Sequence, residues 1–211
     1  MTEGYIVNII IFGASGGVGQ KFTELALEKG LKVTAYVRNP EKLRIKHENL
    51  KVVQGDAHNK TAVENAIAGH DAVVSCLGST TGLKKSTELE EMTRNIVDGM
   101  VTHGINRIIY TASAGIEEEI PGIPGKIMMK MLGNVLADHK KAVHYIKENN
   151  LVYTIARPMG LNDKEFTGTY REERSGIPVK SRSISRADVA HFLLKGLTDE
   201  DYFHTSVGIG N

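Results

Sequence analysis

A single cysteine, Cys76, in 211 residues excludes an internal disulfide framework and fits a reducing cytosol. Neither sign of charge dominates: 26 Lys and Arg stand against 25 Asp and Glu, a formal net charge of +1. That balance gives no reason to expect a nucleic-acid or membrane partner. No uninterrupted apolar run approaches the length that spans a bilayer. The first residues carry no basic region ahead of their apolar stretch and no small-residue cleavage site, so no secretory signal is expected. The eight histidines are scattered without zinc spacing, so no metal site is expected. With 41% hydrophobic and 24% charged residues, the chain has the composition of one ordinary globular domain, long enough for one sizeable core. The expectation is a single cytoplasmic domain over residues 1–211, monomeric or weakly homo-oligomeric, whose partner is a small molecule.

What the chain does have is glycine in one place. Gly13-Ala14-Ser15-Gly16-Gly17-Val18-Gly19 follows directly on the apolar run Ile6-Val7-Asn8-Ile9-Ile10-Ile11-Phe12. Short β-branched runs recur at 8–12, 32–37, 50–53, 72–76, 107–110 and 152–156. They are nearly continuous in apolar residues, the pattern of parallel strands buried on both faces. Amphipathic stretches lie between several of them: Val18, Phe22, Leu25 and Ala26 share a helical face, as do Leu89, Met92, Ile96 and Met100, and Val135, His139, Ala142, Val143 and Ile146. The alternation predicts an α/β fold, a Rossmann-type doubly wound parallel sheet. Two segments break the rhythm and fall on the substrate side. Residues 115–132 read as a loop with a short helix, and 162–183 as a polar stretch holding a small hairpin. Ser185 is placed to cap a last helix over 186–197.

A strand, a glycine-rich turn and a helix in that order form a dinucleotide-binding element. The glycines let the backbone approach a pyrophosphate, and the helix aims its N-terminal amides at it. No G-x-x-x-x-G-K-[S/T] is present, which excludes a Walker phosphate loop. NAD binders carry an acid at the end of the second strand, about 20 residues after the turn. Here the segment reads Ala35-Tyr36-Val37-Arg38-Asn39-Pro40, with Arg38 where the acid would stand. A guanidinium grips a 2′-phosphate, and Ser15 adds a donor, so NADP(H) is preferred. Asp56 and Ala57 end the third strand, where Asp56 either reaches the adenine edge or caps a turn. Leu77, Gly78 and Ser79 end the fourth, where small residues let the cofactor lie close. Cys76 reads as a core residue.

The chain resembles the atypical short-chain dehydrogenase/reductases of the NAD(P)H-binding, NmrA-like group, and is most similar to the biliverdin-IXβ reductase/flavin reductase family. The likeness spans nearly the whole length, through "VRNPEKL", "GHDAVVSCLGS", "MTRNIVDGMVTHGINRIIYTASA", "DHKKAVHYIKENNLVYTIARP" and "ISRADVAHFLLKGLTDEDY". It implies an NADPH-dependent reductase whose acceptor, a flavin or in some members a linear tetrapyrrole, lies beside the nicotinamide. It also implies that Thr111, Ala112 and Ser113 line the nicotinamide site, that Asp138-His139 faces the pocket, and that Pro158 and Met159 lie near the carboxamide. Met159-Gly160 replaces a histidine of that family, and the loop after Ser113 carries Glu117-Glu118-Glu119 and no tryptophan. Both departures bear on the acceptor.

No tyrosine has a lysine four residues on, so the Tyr-x-x-x-Lys acid/base pair of ordinary short-chain dehydrogenases is absent. Hydride transfer to a flavin or quinone asks less of the protein. Ser113 either orients the acceptor or satisfies backbone groups at the strand end. His139 is either a proton donor or a buried, hydrogen-bonded histidine. The methionines at 128, 129 and 131 serve either a substrate pocket or packing, and the glutamate triplet reads as a solvated loop. An NADP(H)-binding sensor with little catalysis is the alternative reading.

Overall fold

The computed structural model describes residues 7–79 and 82–211. In chain order its elements are β1 (Asn8–Phe12), α1 (Gly17–Glu28), β2 (Lys32–Val37), β3 (Leu50–Gln54), α2 (Lys60–Ile67), β4 (Ala72–Ser75), α3 (Glu88–His103) and β5 (Arg107–Thr111). Then come α4 (Gly122–Met131), α5 (Gly133–Glu148), β6 (Val152–Pro158), β7 (Gly160–Asn162), β8 (Arg171–Glu173), β9 (Ser183–Ser185), α6 (Arg186–Thr198) and β10 (Thr205–Gly210). No helix among the described residues is long and apolar enough to cross a membrane.

The main sheet runs β3-β2-β1-β4-β5-β6-β10-β8. Every neighbouring pair is parallel except β8, which runs antiparallel to β10. The first six positions are the doubly wound order, in which the winding reverses between β1 and β4. Period-two alternation in β1 explains the layers. Ile9 and Ile11 point to the face covered by α1 and α6, where they meet Phe22, Ala26, Val189 and Leu193. Ile10 and Phe12 point to the other face, with Val63 and Ile67 of α2, Ile96 of α3 and Val143 and Ile146 of α5. Each large side chain buried this way contributes about 1.5–3 kcal/mol. Packing α1 beside α6 brings the first turns of these two helices together at the same edge of the cavity described below.

Three sequence expectations change. The strand at 50–53 is not buried on both faces. As β3 it pairs with β2 alone, and Lys51, Val52 and Gln54 are exposed. Residues 162–183 form no hairpin: β7 pairs in parallel with β9 in a small separate sheet, and β8 joins the main one. Asp188 gathers the chain between them, accepting from Thr167 N at 3.0 Å, Gly168 N at 2.9 Å and the Thr167 hydroxyl at 2.9 Å. The strand β10 is an addition, hidden in the sequence by Gly208 and Gly210. Ser185 caps α6 as expected, its hydroxyl accepting from Asp188 N at 3.0 Å.

Candidate active site

A cavity of about 790 Å³ opens at the C-terminal ends of β1, β2, β4, β5 and β6, where the winding reverses. Gly13, Ser15, Gly16, Gly17 and Val18 form one end of it. Gly13 has φ +79°, and a Cβ there would lie 2.5 Å from the Cys76 carbonyl oxygen, so the turn tolerates no side chain. Gly19 does not line the cavity; a Cβ at that position would collide with the Gly13 carbonyl, so it serves the packing of turn against helix. Gly16 N donates to Gly13 O at 2.9 Å and closes the turn. No side chain caps α1 and no acid stands in its first turn, so its leading amides and dipole face the cavity without a protein carboxylate.

At the end of β2 the cavity is lined by Arg38, Asn39 and Lys42. Asn39 Oδ1 accepts from Glu41 N at 3.0 Å and starts the single 3₁₀ turn that presents Lys42 beside Arg38. Among the described residues, two cations and no carboxylate therefore line that end. Ala57, Leu77, Gly78 and Ser79 line the neighbouring wall. Asp56 does not. Its carboxylate accepts from His58 N at 3.0 Å and its backbone oxygen from the Tyr36 hydroxyl at 3.2 Å, so of the two roles open to it the turn cap is the one formed.

Thr111, Ala112, Ser113, His139, Pro158 and Met159 gather at the far end. The chain stays bonded to β6 beyond the regular end of β5, through Ala112 N to Ala156 O at 2.8 Å and Ala114 N to Pro158 O at 2.9 Å. That fixes Ser113, whose hydroxyl donates to Ala114 O at 3.0 Å. His139 is only 5% exposed, and its Nδ1 lies 2.9 Å from the Tyr110 hydroxyl. Burial drives its pKa down to about 4, with the Asp138 carboxylate opposing only in part, so the ring is neutral at pH 7. Asp138 turns away from the cavity. It accepts from Leu89 N at 3.1 Å, Glu90 N at 2.9 Å and the Ser86 hydroxyl at 3.2 Å, and so caps α3. The adjacent Asp138 and His139 thus serve different partners.

Cys76 follows β4; it packs against the core on the α1 and α6 face, as expected, and also lines the cavity. Burial pushes its thiol up to about 12, against a weak 3.8 Å contact from the Thr111 hydroxyl, so no thiolate nucleophile forms there. The glutamate triplet is not simply solvated. Glu119 pairs with the fully buried guanidinium of Arg157 on β6, Glu117 lies 3.6 Å from the same group, and Glu118 faces Lys140 at 4.0 Å. The loop after Ser113 is thereby tied to the sheet. Met128 lines the cavity, Met129 packs against both neighbouring cores and Met131 is exposed. The sequence reading missed Lys42 and Arg186 among the lining residues. Lys42 stands one turn beyond Arg38, after a proline helix start. Arg186 was hidden as an ordinary first residue of a capped helix.

A match to the family described as NAD(P)H-binding spans residues 13–200. The chain belongs to that family. The NAD(P)H-binding signature thus takes in every element from the glycine turn to the end of α6. A chloroplastic protein of Arabidopsis thaliana, described as uncharacterized, is 27% identical over 204 residues, covering 92% of this chain and 72% of its own length. A short-chain dehydrogenase/reductase from Veillonella parvula, solved in complex with NADP, superposes with a TM-score of 0.85 at 25% identity, over 98% of this chain and 95% of that one. An anaerobilin reductase from Escherichia coli O157:H7 shares the fold at a TM-score of 0.76 and 23% identity, over 96% of this chain and 97% of its own. The chain is thus an NAD(P)H-binding protein of oxidoreductase-like kind with a Rossmann-like single domain.

Proposed function

We propose that this protein is an NADPH-dependent reductase that delivers hydride to a planar conjugated acceptor of the flavin or quinone class. One observation carries the cofactor choice: Arg38 and Lys42 line the end of the cavity next to β2, and no carboxylate does among the described residues. A carboxylate there would hold the 2′-hydroxyl of NAD and repel the 2′-phosphate of NADP, whereas two cations attract that phosphate. Gly13, Ser15, Gly16, Gly17 and Val18 would hold the pyrophosphate, with Ala57, Leu77, Gly78 and Ser79 along the adenosine side. Thr111, Ala112, Pro158 and Met159 would hold the nicotinamide. When bound, the reduced nicotinamide supplies the hydride.

The chain's own contribution at the acceptor end is positioning. Ser113 orients the acceptor or the carboxamide. With the Tyr110 hydroxyl as donor to His139 Nδ1, the ring would carry its proton on Nε2 and be a neutral donor. The proton that accompanies the hydride comes from water at the cavity mouth, since His139 is not an imidazolium at neutral pH. Cytosol is the compartment proposed, and a monomer or weak homo-oligomer the assembly.

The same acceptor end supports a second reading, an NADP(H)-binding sensor. His139 is neutral, Cys76 is held as a thiol, and no Tyr-x-x-x-Lys pair supplies an acid near neutrality. Steady-state NADPH oxidation with FMN, FAD, riboflavin and quinones separates the two. Turnover that falls in Ser113→Ala supports the reductase. Tight NADP⁺ binding without turnover on any acceptor supports the sensor.

A further inference from the structure

We propose that Arg186 is a pyrophosphate clamp of this cavity and that Gly17 is glycine to make room for it. Arg186 opens α6, and α6 packs beside α1 on one face of the sheet, so its side chain reaches the start of α1. A Cβ at Gly17 would lie 2.5 Å from Arg186 Cδ and 2.6 Å from its Nε. The arginine stem therefore lies directly on the backbone of the glycine turn. Gly17 is not one of the three fingerprint glycines, and this contact accounts for it. Arg186 lines the cavity together with Gly16 and Gly17.

Helix stability does not explain a cation here. The first residue of a helix sits at the positive end of the dipole, where arginine is disfavoured. The side chain is 29% exposed, and its Nη1 donates at 2.7 Å to Asp163, a carboxylate 87% exposed. So exposed a carboxylate is a weak, screened partner. A pyrophosphate at the α1 amides would present two charges to the same fork, a stronger and bidentate match. Asp163 then keeps the guanidinium at the turn until the anion arrives. The contact also ties the chain after β7 to the phosphate end of the cofactor.

This rests on the NADP(H)-binding reading, and the test keeps the two apart. Fluorescence or calorimetric titration with NADPH and with NADH is run on the wild type, Arg186→Ala, Gly17→Ala and the double variant, with circular dichroism as the folding control. Arg186→Ala is expected to weaken both nucleotides by the same factor, about tenfold, because both carry the pyrophosphate. Gly17→Ala is expected to weaken both as well, and to add nothing in the Arg186→Ala background. Wild-type affinity for both nucleotides in Arg186→Ala overturns the clamp, as does a Gly17→Ala penalty of the same size in both backgrounds. Failure of the wild type to bind either nucleotide overturns the cofactor reading itself.

Discussion

Arg38 is where a single side chain decides the most. On the proposed NADP(H) reading, its removal would take away a charge-assisted bond to a 2′-phosphate, a loss of about 1.5–3 kcal/mol, and nothing from a 2′-hydroxyl. Arg38→Ala is therefore expected to raise the Kd for NADPH about 10- to 100-fold and to leave NADH within a few-fold, as read by titration. His139 makes a different kind of prediction. Its folded pKa of about 4 lies below the ordinary value for histidine, so between pH 6.5 and 4 the unfolded chain binds a proton that the folded chain refuses. Stability from this group is full above pH 6.5 and is lost as pH falls through that window, by about 3 kcal/mol in total. Urea midpoints of the wild type and His139→Gln should converge as pH drops from 6.5 to 4; curves that stay parallel would contradict the buried neutral ring. Arg38 was legible in the sequence because its meaning depends only on its distance from the glycine turn. The Tyr110 contact of His139 was not, because it depends on a partner brought close by the fold, whereas the turn cap at Asp56, whose donor His58 N is two residues on, was one of the two roles open to it in the sequence.

The loop after β5 and the helix α4 depend on an ion pair that joins two distant elements. Arg157 on β6 is fully buried and Glu119 is 7% exposed, so losing one partner strands a charge away from water. Glu119→Ala is expected to cost about 3 kcal/mol and to open residues 115–121 to proteolysis, read from urea melts and cleavage mapping. A loss below ~0.5 kcal/mol would show the pair to be no more than a surface contact. In the sequence the three glutamates looked like a solvated run, since nothing local marks Glu119 as the one facing inward. The strands β1, β2, β4 and β5 were legible from β-branched apolar runs. By contrast, β10 carries two glycines in six residues, and β7, β8 and β9 are three residues each, too short for periodicity to speak. Their partners lie far along the chain: β7 pairs with β9, and β10 with β6 and β8, with no hairpin turn between β7 and β9 to announce them.

Across the whole molecule, cofactor affinity becomes stability. A ligand that binds only the folded chain adds about 2.7 kcal/mol at 100 times its Kd, which for a domain of this size raises Tm by roughly 5–10 °C. NADPH should produce that rise at lower concentration than NADH. The fold class was readable as a whole because the βα alternation repeats along the chain. The cavity's acceptor end was reached only through the resemblance, which implied Thr111, Ala112, Ser113, His139, Pro158 and Met159, because β5, β6, α4 and α5 each contribute only one or two residues to it. On the proposed reading two cations at the end of β2 select NADP(H), and side-by-side titration of the wild type with NADPH and NADH decides it. NADPH is expected to bind at least about tenfold more tightly; equal affinities, or tighter binding of NADH, would rule that selection out.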